Sequence, residues 1–144
     1  MLNRVDDSVL RSFDGVPRPL RRSRGYAPEP LRVPLHASRR LLALGADLKN
    51  TFCLLRDDHA VLSQHIGDLD DPATRGDWQR TLDLYLQLFG CEPQALVVDR
   101  HPDYASSRHG REWAARQGID LVEVQHHHAH AAAYMADCGQ PADV

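Results

Sequence analysis

Four histidines crowd into one short segment, Gln125-His126-His127-His128-Ala129-His130, and an Ala-rich run, Ala131 to Ala136, follows at once. Alanine favours helix, and residues four apart on a helix share a face with about 6 Å between them. His126 and His130 can therefore converge on one ion, as neutral imidazoles do for Zn or Fe. His127 and His130, three apart, offer the same chemistry. Two imidazoles are not a complete site, because a catalytic ion takes at least a third protein ligand. Asp137 stands seven positions beyond His130, and no nearer carboxylate has helical spacing. The plainer alternative is an exposed, tag-like run, against which stands its placement between an apolar strand and a helix.

The elements that must position these histidines follow from patterning. From Arg40 onward come three short apolar runs, LLALGADL, then NTFCLLRD after a polar turn, then AVLSQHI after the turn Asp57-Asp58-His59, and they predict three adjacent antiparallel strands. Over Trp78 to Phe89 the leucines alternate like a strand, while Trp78, Leu82, Tyr85 and Phe89 repeat like a helix. Length decides for helix, with Asp77 as cap and Gly90 as stop. ALVVD (95–99) predicts a buried strand, Tyr104 to Gln117 a helix, and IDLVEV (119–124) another strand. The order βββαβαβα implies a mixed sheet with helices on its faces, an α/β layer architecture.

Ahead of this unit, Pro17, Pro19, Pro28, Pro30 and Pro34 crowd together, a density that opposes continuous helix or central strand. Residues 15–39 read as a linker, and Val5 to Phe13 as at most one or two short strands. Residues 1–40 carry nine Arg against four acids, whereas the rest carries eight bases against sixteen acids. The basic segment suits a phosphate or nucleic acid as well as plain solvation. Cys53, Cys91 and Cys138 are an odd number without a CxxC, so they read as reduced, buried thiols. No run of about 18 apolar residues and no signal-peptide pattern exists, so the expected location is the cytoplasm, with no membrane association.

Taken together, GADLKNTFCL, SQHIGDL, DRHPDY and VQHHHAHAAA closely resemble, in this order and spacing, the carbamoyltransferase domain of HypF-type hydrogenase-maturation proteins. NRVDDSV and RRSRGYAPEP resemble the end of the YrdC-like domain that precedes it. The resemblance divides the chain into 1–14, the end of a YrdC-like domain, 15–39, a linker, and 40–144, the first part of the transferase domain. It implies an incomplete actin-like ATPase (RNase H-like) lobe, related in fold to tRNA threonylcarbamoyl transferases. The implied chemistry makes carbamoyl adenylate from carbamoyl phosphate and ATP, then moves the carbamoyl group to a C-terminal cysteine of HypE. The resulting thiocarboxamide supplies the cyanide ligands of nickel-iron hydrogenase.

The same resemblance places His126 and His130 on the family's paired metal ligands, favouring that pair, with a divalent Zn or Fe acting as Lewis acid and template. His127 is left as a substrate contact or a supporting residue, and His128 likewise. Gly45, Asp47, Lys49, Asn50 and Thr51 fall where actin-like ATPases turn against nucleotide phosphates, a plain hairpin turn being the alternative. Asp47 departs from the Glu usual there. His101 and Asp103 follow the ALVVD strand, where ligands of open α/β sheets lie, so either is a candidate to face the carbamoyl group. Equally, Asp103 can cap the next helix. Arg24, with Arg4, Arg21 and Arg22, offers guanidinium forks for the phosphate of a YrdC-like pocket. RNA binding is implied only through the YrdC-like resemblance. His65 and Asp68 match the family without a role derivable from the sequence.

The resemblance implies upstream domains, carboxylate metal ligands and a second nucleotide lobe that are not expected within these 144 residues. The expectation is therefore a truncated carbamoyltransferase that does not turn over alone and whose open sheet promotes self-association. A different class of reading is a non-catalytic metal- or partner-binding module. A third, a tRNA-modifying lobe, is disfavoured by RRSRGYAPEP and SQHIGDL.

Overall fold

A computed structural model describes residues 5–139. Strands β1 (Val9–Phe13) and β2 (Val16–Arg21) form a separate antiparallel pair. Their two-residue connection, Asp14-Gly15, has φ of 50° and 77°, the primed geometry that matches strand twist. Pro17 and Pro19 lie in β2, which lacks a second neighbour, so their missing N–H groups leave no ladder bond unmade. Val9, Leu10, Phe13, Val16 and Leu20 of this hairpin are exposed.

The main sheet has the order β4-β3-β5-β6, built from β3 (Leu31–Ala43), β4 (Cys53–Leu62), β5 (Ala95–Asp99) and β6 (Asp120–Val124). Much of the expected linker is thus strand. Pro34 falls between Arg32 and Ala37, where the β3–β4 register shifts, and β3 gains its second neighbour only at Leu41, Leu42 and Ala43. Two strands also replace the expected three-stranded meander. Asp57-Asp58-His59, read as a turn, lies inside β4; Asp57, at φ 55°, faces Ala37 at the irregularity. The polar residues there make a bulge on a sheet edge and do not reverse the chain. From β3 the order is ββαβαβα, a mixed α/β fold.

Helix α1 (Pro72–Leu88) begins a turn and a half ahead of the expected start. Asp71 caps it, accepting from Thr74 N at 2.7 Å and Thr74 Oγ1 at 2.8 Å, and Pro72 fits the first turn, where its missing N–H is not needed. Asp77, expected as the cap, instead pairs with Arg80. Trp78, Leu82 and Tyr85 bury one face of α1 against Leu42, Leu44, Phe52, Leu96 and Val98 of the sheet layer, each such burial contributing about 1.5–3 kcal/mol. Helix α2 (Ala105–Gln117) ends at Gly118 in the left-handed region, as expected. Helix α3 (His126–Asp137) buries none of its described residues. All three cysteines are free, but Cys138 is exposed and Cys53 and Cys91 only partly buried; burial pushes the Cys53 thiol up to about 11. Among the described residues no helix is long and apolar enough to cross a membrane.

Candidate functional site

Three parallel strands, β3, β5 and β6, finish on one edge of the sheet. Ala43 pairs with Val97, and Asp99 pairs with Val124. The chain leaves β3 into the Gly45 turn, leaves β5 at Asp99, and leaves β6 directly into α3, so three connections gather at the carboxyl ends of the strands, where open α/β sheets bind ligands. Gly45, Ala46, Val98, Asp99, His126, Ala129 and His130 line one cleft there of about 430 Å³.

The histidine pair converges as its spacing implies. His126 and His130 stand one turn apart at the start of α3, and their Nε2 atoms lie 3.1 Å from each other. Imidazoles bound at 2.0–2.1 Å to one tetrahedral ion hold their nitrogens about 3.3 Å apart, so the spacing fits a shared cation. The other ring nitrogen of His126, Nδ1, is 2.7 Å from Asp99 Oδ2. A carboxylate there makes Nδ1 the protonated nitrogen and leaves Nε2 as the lone-pair donor. His127 is exposed, its ring 6.3 Å from that of His126; His128 is exposed too. Among the described residues no group of three or more His, Cys, Asp or Glu side chains is arranged to hold an ion, so the pair alone does not make a complete coordination shell.

The Gly45 turn divides its residues between cleft and scaffold. Gly45 has φ 70°, and a Cβ there would collide with the Thr51 carbonyl oxygen, so only glycine permits this path. Asp47, 3% exposed, turns inward: it accepts from Ala105 N at 2.6 Å and Ser106 N at 3.2 Å. The Ser106 hydroxyl shares its proton between Asp47 Oδ1, at 3.0 Å, and the Gly45 carbonyl, at 2.8 Å. Asp47 is therefore the cap of α2. Asn50 also faces inward, donating through Nδ2 to Leu44 O at 2.9 Å and Ala46 O at 2.6 Å. The carboxylate and amide are thus engaged inside the fold, Lys49 is exposed, Thr51 is half-buried, and of the five expected phosphate contacts Gly45 lines the cleft.

His101 and Asp103 stand beside the cleft without lining it. The His101 ring stacks on Tyr104 at 4.2 Å, and its Nδ1 accepts from Asp103 N at 3.3 Å. Asp103 does not cap α2, whose first residues are held by Asp47 from 58 positions earlier. Arg24 ion-pairs with Asp7 at 3.4 Å and belongs to the hairpin region. Arg22 donates to the Tyr26 and Glu29 carbonyls, and Arg4 lies outside the described residues. His65 donates its N–H to Arg22 O at 3.0 Å; burial, then Arg21, hold its imidazole below the usual range. Asp68 accepts from Asp70 N in a local turn. Two residues that organise the site escaped the sequence reading: Asp99, whose only signal was a polar strand-end position, and Asp47 in its capping role.

Residues 36–137 match the family model described as the HypF Kae1-like domain. The chain is 41% identical over 135 residues to the carbamoyltransferase HypF of Synechocystis sp., covering 94% of this chain and 17% of that protein. It is 43% identical over 143 residues to the carbamoyltransferase HypF2 of Cupriavidus necator, covering 96% and 18%. The chain thus spans less than a fifth of the length of these relatives. A crystal structure of full-length HypF in its phosphate- and nucleotide-bound form superposes with a TM-score of 0.86 at 37% identity, covering 95% of this chain and 21% of that one. The HypF of T. kodakarensis gives 0.85 at 32% identity, covering 94% and 18%. The sequence match and the fold agree, and the chain belongs to the HypF family of carbamoyltransferases.

Proposed function

We propose that this chain supplies the histidine half of a metal site and the phosphate-facing turn of a HypF carbamoyltransferase. The observation that carries the reading is the meeting of the Gly45 turn with His126 and His130 in one cleft at the ends of three parallel strands. In this reading the lobe is the first part of an actin-like ATPase domain, and the β1–β2 hairpin is the end of a YrdC-like domain. The intact protein uses ATP and carbamoyl phosphate to form carbamoyl adenylate and delivers the carbamoyl group to the C-terminal cysteine of HypE during hydrogenase maturation. A full-length HypF to which this chain is similar has been solved in a phosphate- and nucleotide-bound form, which supports phosphate and nucleotide as ligands of the intact protein.

His126 and His130 would hold a divalent Zn or Fe, which when bound supplies Lewis acidity to a carbonyl or phosphoryl oxygen. The chain's own residues do the rest. Gly45 and Ala46 bring backbone close to the cleft without a side chain in the way, which is how a turn admits a phosphate. Val98, Ala129 and Ala132 keep the cleft wall apolar, so a cation or backbone dipole aimed at a developing charge there acts on it more strongly than it would in water. His101 and His127, beside the cleft, are proposed to meet the acceptor side of the substrate, with Asp103 shaping the His101 turn.

The test is a chimera in which residues 36–137 replace the segment that they match in the Synechocystis HypF relative, the rest of that protein being kept. The expected result is carbamoylation of a HypE C-terminal peptide that depends on carbamoyl phosphate and ATP and is lost on His126→Ala with His130→Ala. The 144-residue chain alone is expected to make no carbamoyl adenylate. A folded chimera that carbamoylates no peptide overturns the reading, and one that modifies tRNA instead replaces the acceptor.

A further inference from the structure

The carboxylate of Asp99 has both oxygens engaged by groups on opposite sides of the site. Oδ2 lies 2.7 Å from His126 Nδ1, and Oδ1 accepts the His101 backbone N–H at 2.8 Å. Its side chain is 9% exposed, against 42% for His126, so the carboxylate forms the rigid floor of the pair and the imidazole the accessible part. The backbone carbonyl of Asp99 is held as well, by the Ser107 hydroxyl at 2.8 Å. Because β5 is a central strand, the carboxylate is fixed to the least movable element at the cleft.

We propose that Asp99 is the positioning residue of the site: it locks His126 in the Nδ1–H tautomer, aims the free Nε2 at His130, and couples that ring to the His101 turn. The proposal rests on the reading of the histidine pair as a cation site. Asp99 acts through His126 and not as a ligand: it contacts Nδ1, while it is Nε2 that faces His130, the arrangement of carboxylates behind metal-binding imidazoles. Asparagine would fail in this role for a specific reason. An amide has one acceptor where the carboxylate has two, and the His101 N–H is fixed in the backbone and takes it. The amide N–H then faces His126 Nδ1 and selects the Nε2–H tautomer, which cannot bind a cation through Nε2.

The experiment compares the 144-residue chain with its Asp99→Asn variant. The His126 ring tautomer is read by long-range proton–nitrogen NMR without metal, and Co²⁺ affinity by its visible spectrum. His126→Gln assigns the ring signals. Expected are an Nδ1–H ring in the wild type, an Nε2–H ring in the variant, and Co²⁺ binding weakened by about 10–100-fold with the helix content unchanged. An Nε2–H ring in the wild type overturns the proposal without reference to any variant, so it stays decidable if Asp99→Asn does not fold. Equal Co²⁺ affinity and an unchanged tautomer in a folded variant overturn it while leaving the cation reading intact. A wild type that binds no Co²⁺ but shows the tautomer exchange sinks the cation reading and upholds the role of Asp99.

Discussion

The Gly45–Thr51 turn and the first turn of α3 face each other across one cleft, yet they use their polar residues in opposite ways. In the turn, Asp47 and Asn50 are 3% and 1% exposed and spend their hydrogen bonds on α2 and on neighbouring carbonyls. In α3, no described residue is buried, and His126 and His130 leave ring nitrogens toward the cleft. The turn offers ligand-facing backbone held by its own side chains. The helix offers side chains held by someone else's carboxylate. A polar residue in a motif therefore marks the site in either of two capacities, and only its burial distinguishes them.

The contrast is sharpest at Asp47. Replacing it with Ala leaves the Ala105 and Ser106 N–H groups without their acceptor inside the fold, while the Ser106 hydroxyl keeps only the Gly45 carbonyl. Hydrogen bonds to a charged group contribute about 1.5–3 kcal/mol each and a helix cap about 1, so a loss of about 3–4 kcal/mol is expected, allowing for non-additivity. Denaturant unfolding measures it, and a loss below about 1 kcal/mol would break the comparison by showing the carboxylate free for a ligand. Asp47→Glu, which keeps a carboxylate at this position, should lose less stability than Asp47→Ala by the same measurement. Gly45→Ala comes next. Its Cβ meets the Thr51 backbone and its φ of 70° disfavours any side chain, for an expected cost of about 2–3 kcal/mol by the same measurement.

Acid should loosen the turn side of the molecule before the α3 side. His109 of α2 packs edge-on to Trp78 of α1, with ring centroids 5.0 Å apart, and to Trp113, at 5.9 Å. Burial, then Arg116, hold its imidazole below the ordinary 6.5. The unfolded chain takes up this proton at higher pH than the folded one. Stability is thus complete above about pH 6.5 and declines as pH falls through the window down to the folded value. Urea midpoints followed between about pH 8 and pH 5 should fall on the acid side, with the slope reduced in His109→Gln. A midpoint that is flat across that window contradicts the packing role assigned to His109.

Legibility in the sequence tracked the range of the interaction. The approach of His126 to His130, one of two pairings that the spacing left open, and the helical periodicity of α1 are set within one or two turns of chain, which is why local patterns pointed to them. Misreadings arose where a local signal had a second meaning. Of the prolines taken for a linker, Pro17 and Pro19 sit in β2, which has a single neighbour, and Pro34 sits in the stretch of β3 that pairs with β4 alone, and Asp57-Asp58-His59, taken for a turn, bulges a single strand. What could not be read joins distant segments: Asp47 reaches α2 across 58 residues and Asp99 reaches His126 across 27. No local propensity encodes such pairs, because they exist only once β3, β5 and β6 end level with one another.

The smallest effect on stability, and the other side of the comparison, belongs to the histidines. His126→Gln together with His130→Gln removes two side chains that α3 does not bury, and the new amide at 126 can still donate toward Asp99. The unfolding free energy should change by less than about 1 kcal/mol, a value typical of partly exposed positions, while Co²⁺ binding measured on the same samples disappears. Stability and ligand binding are then carried by different residues on the two walls of one cleft. A loss as large as that of Asp47→Ala would mean that α3 is anchored through its histidines, and the pair would have to be read as scaffold first and ligand second.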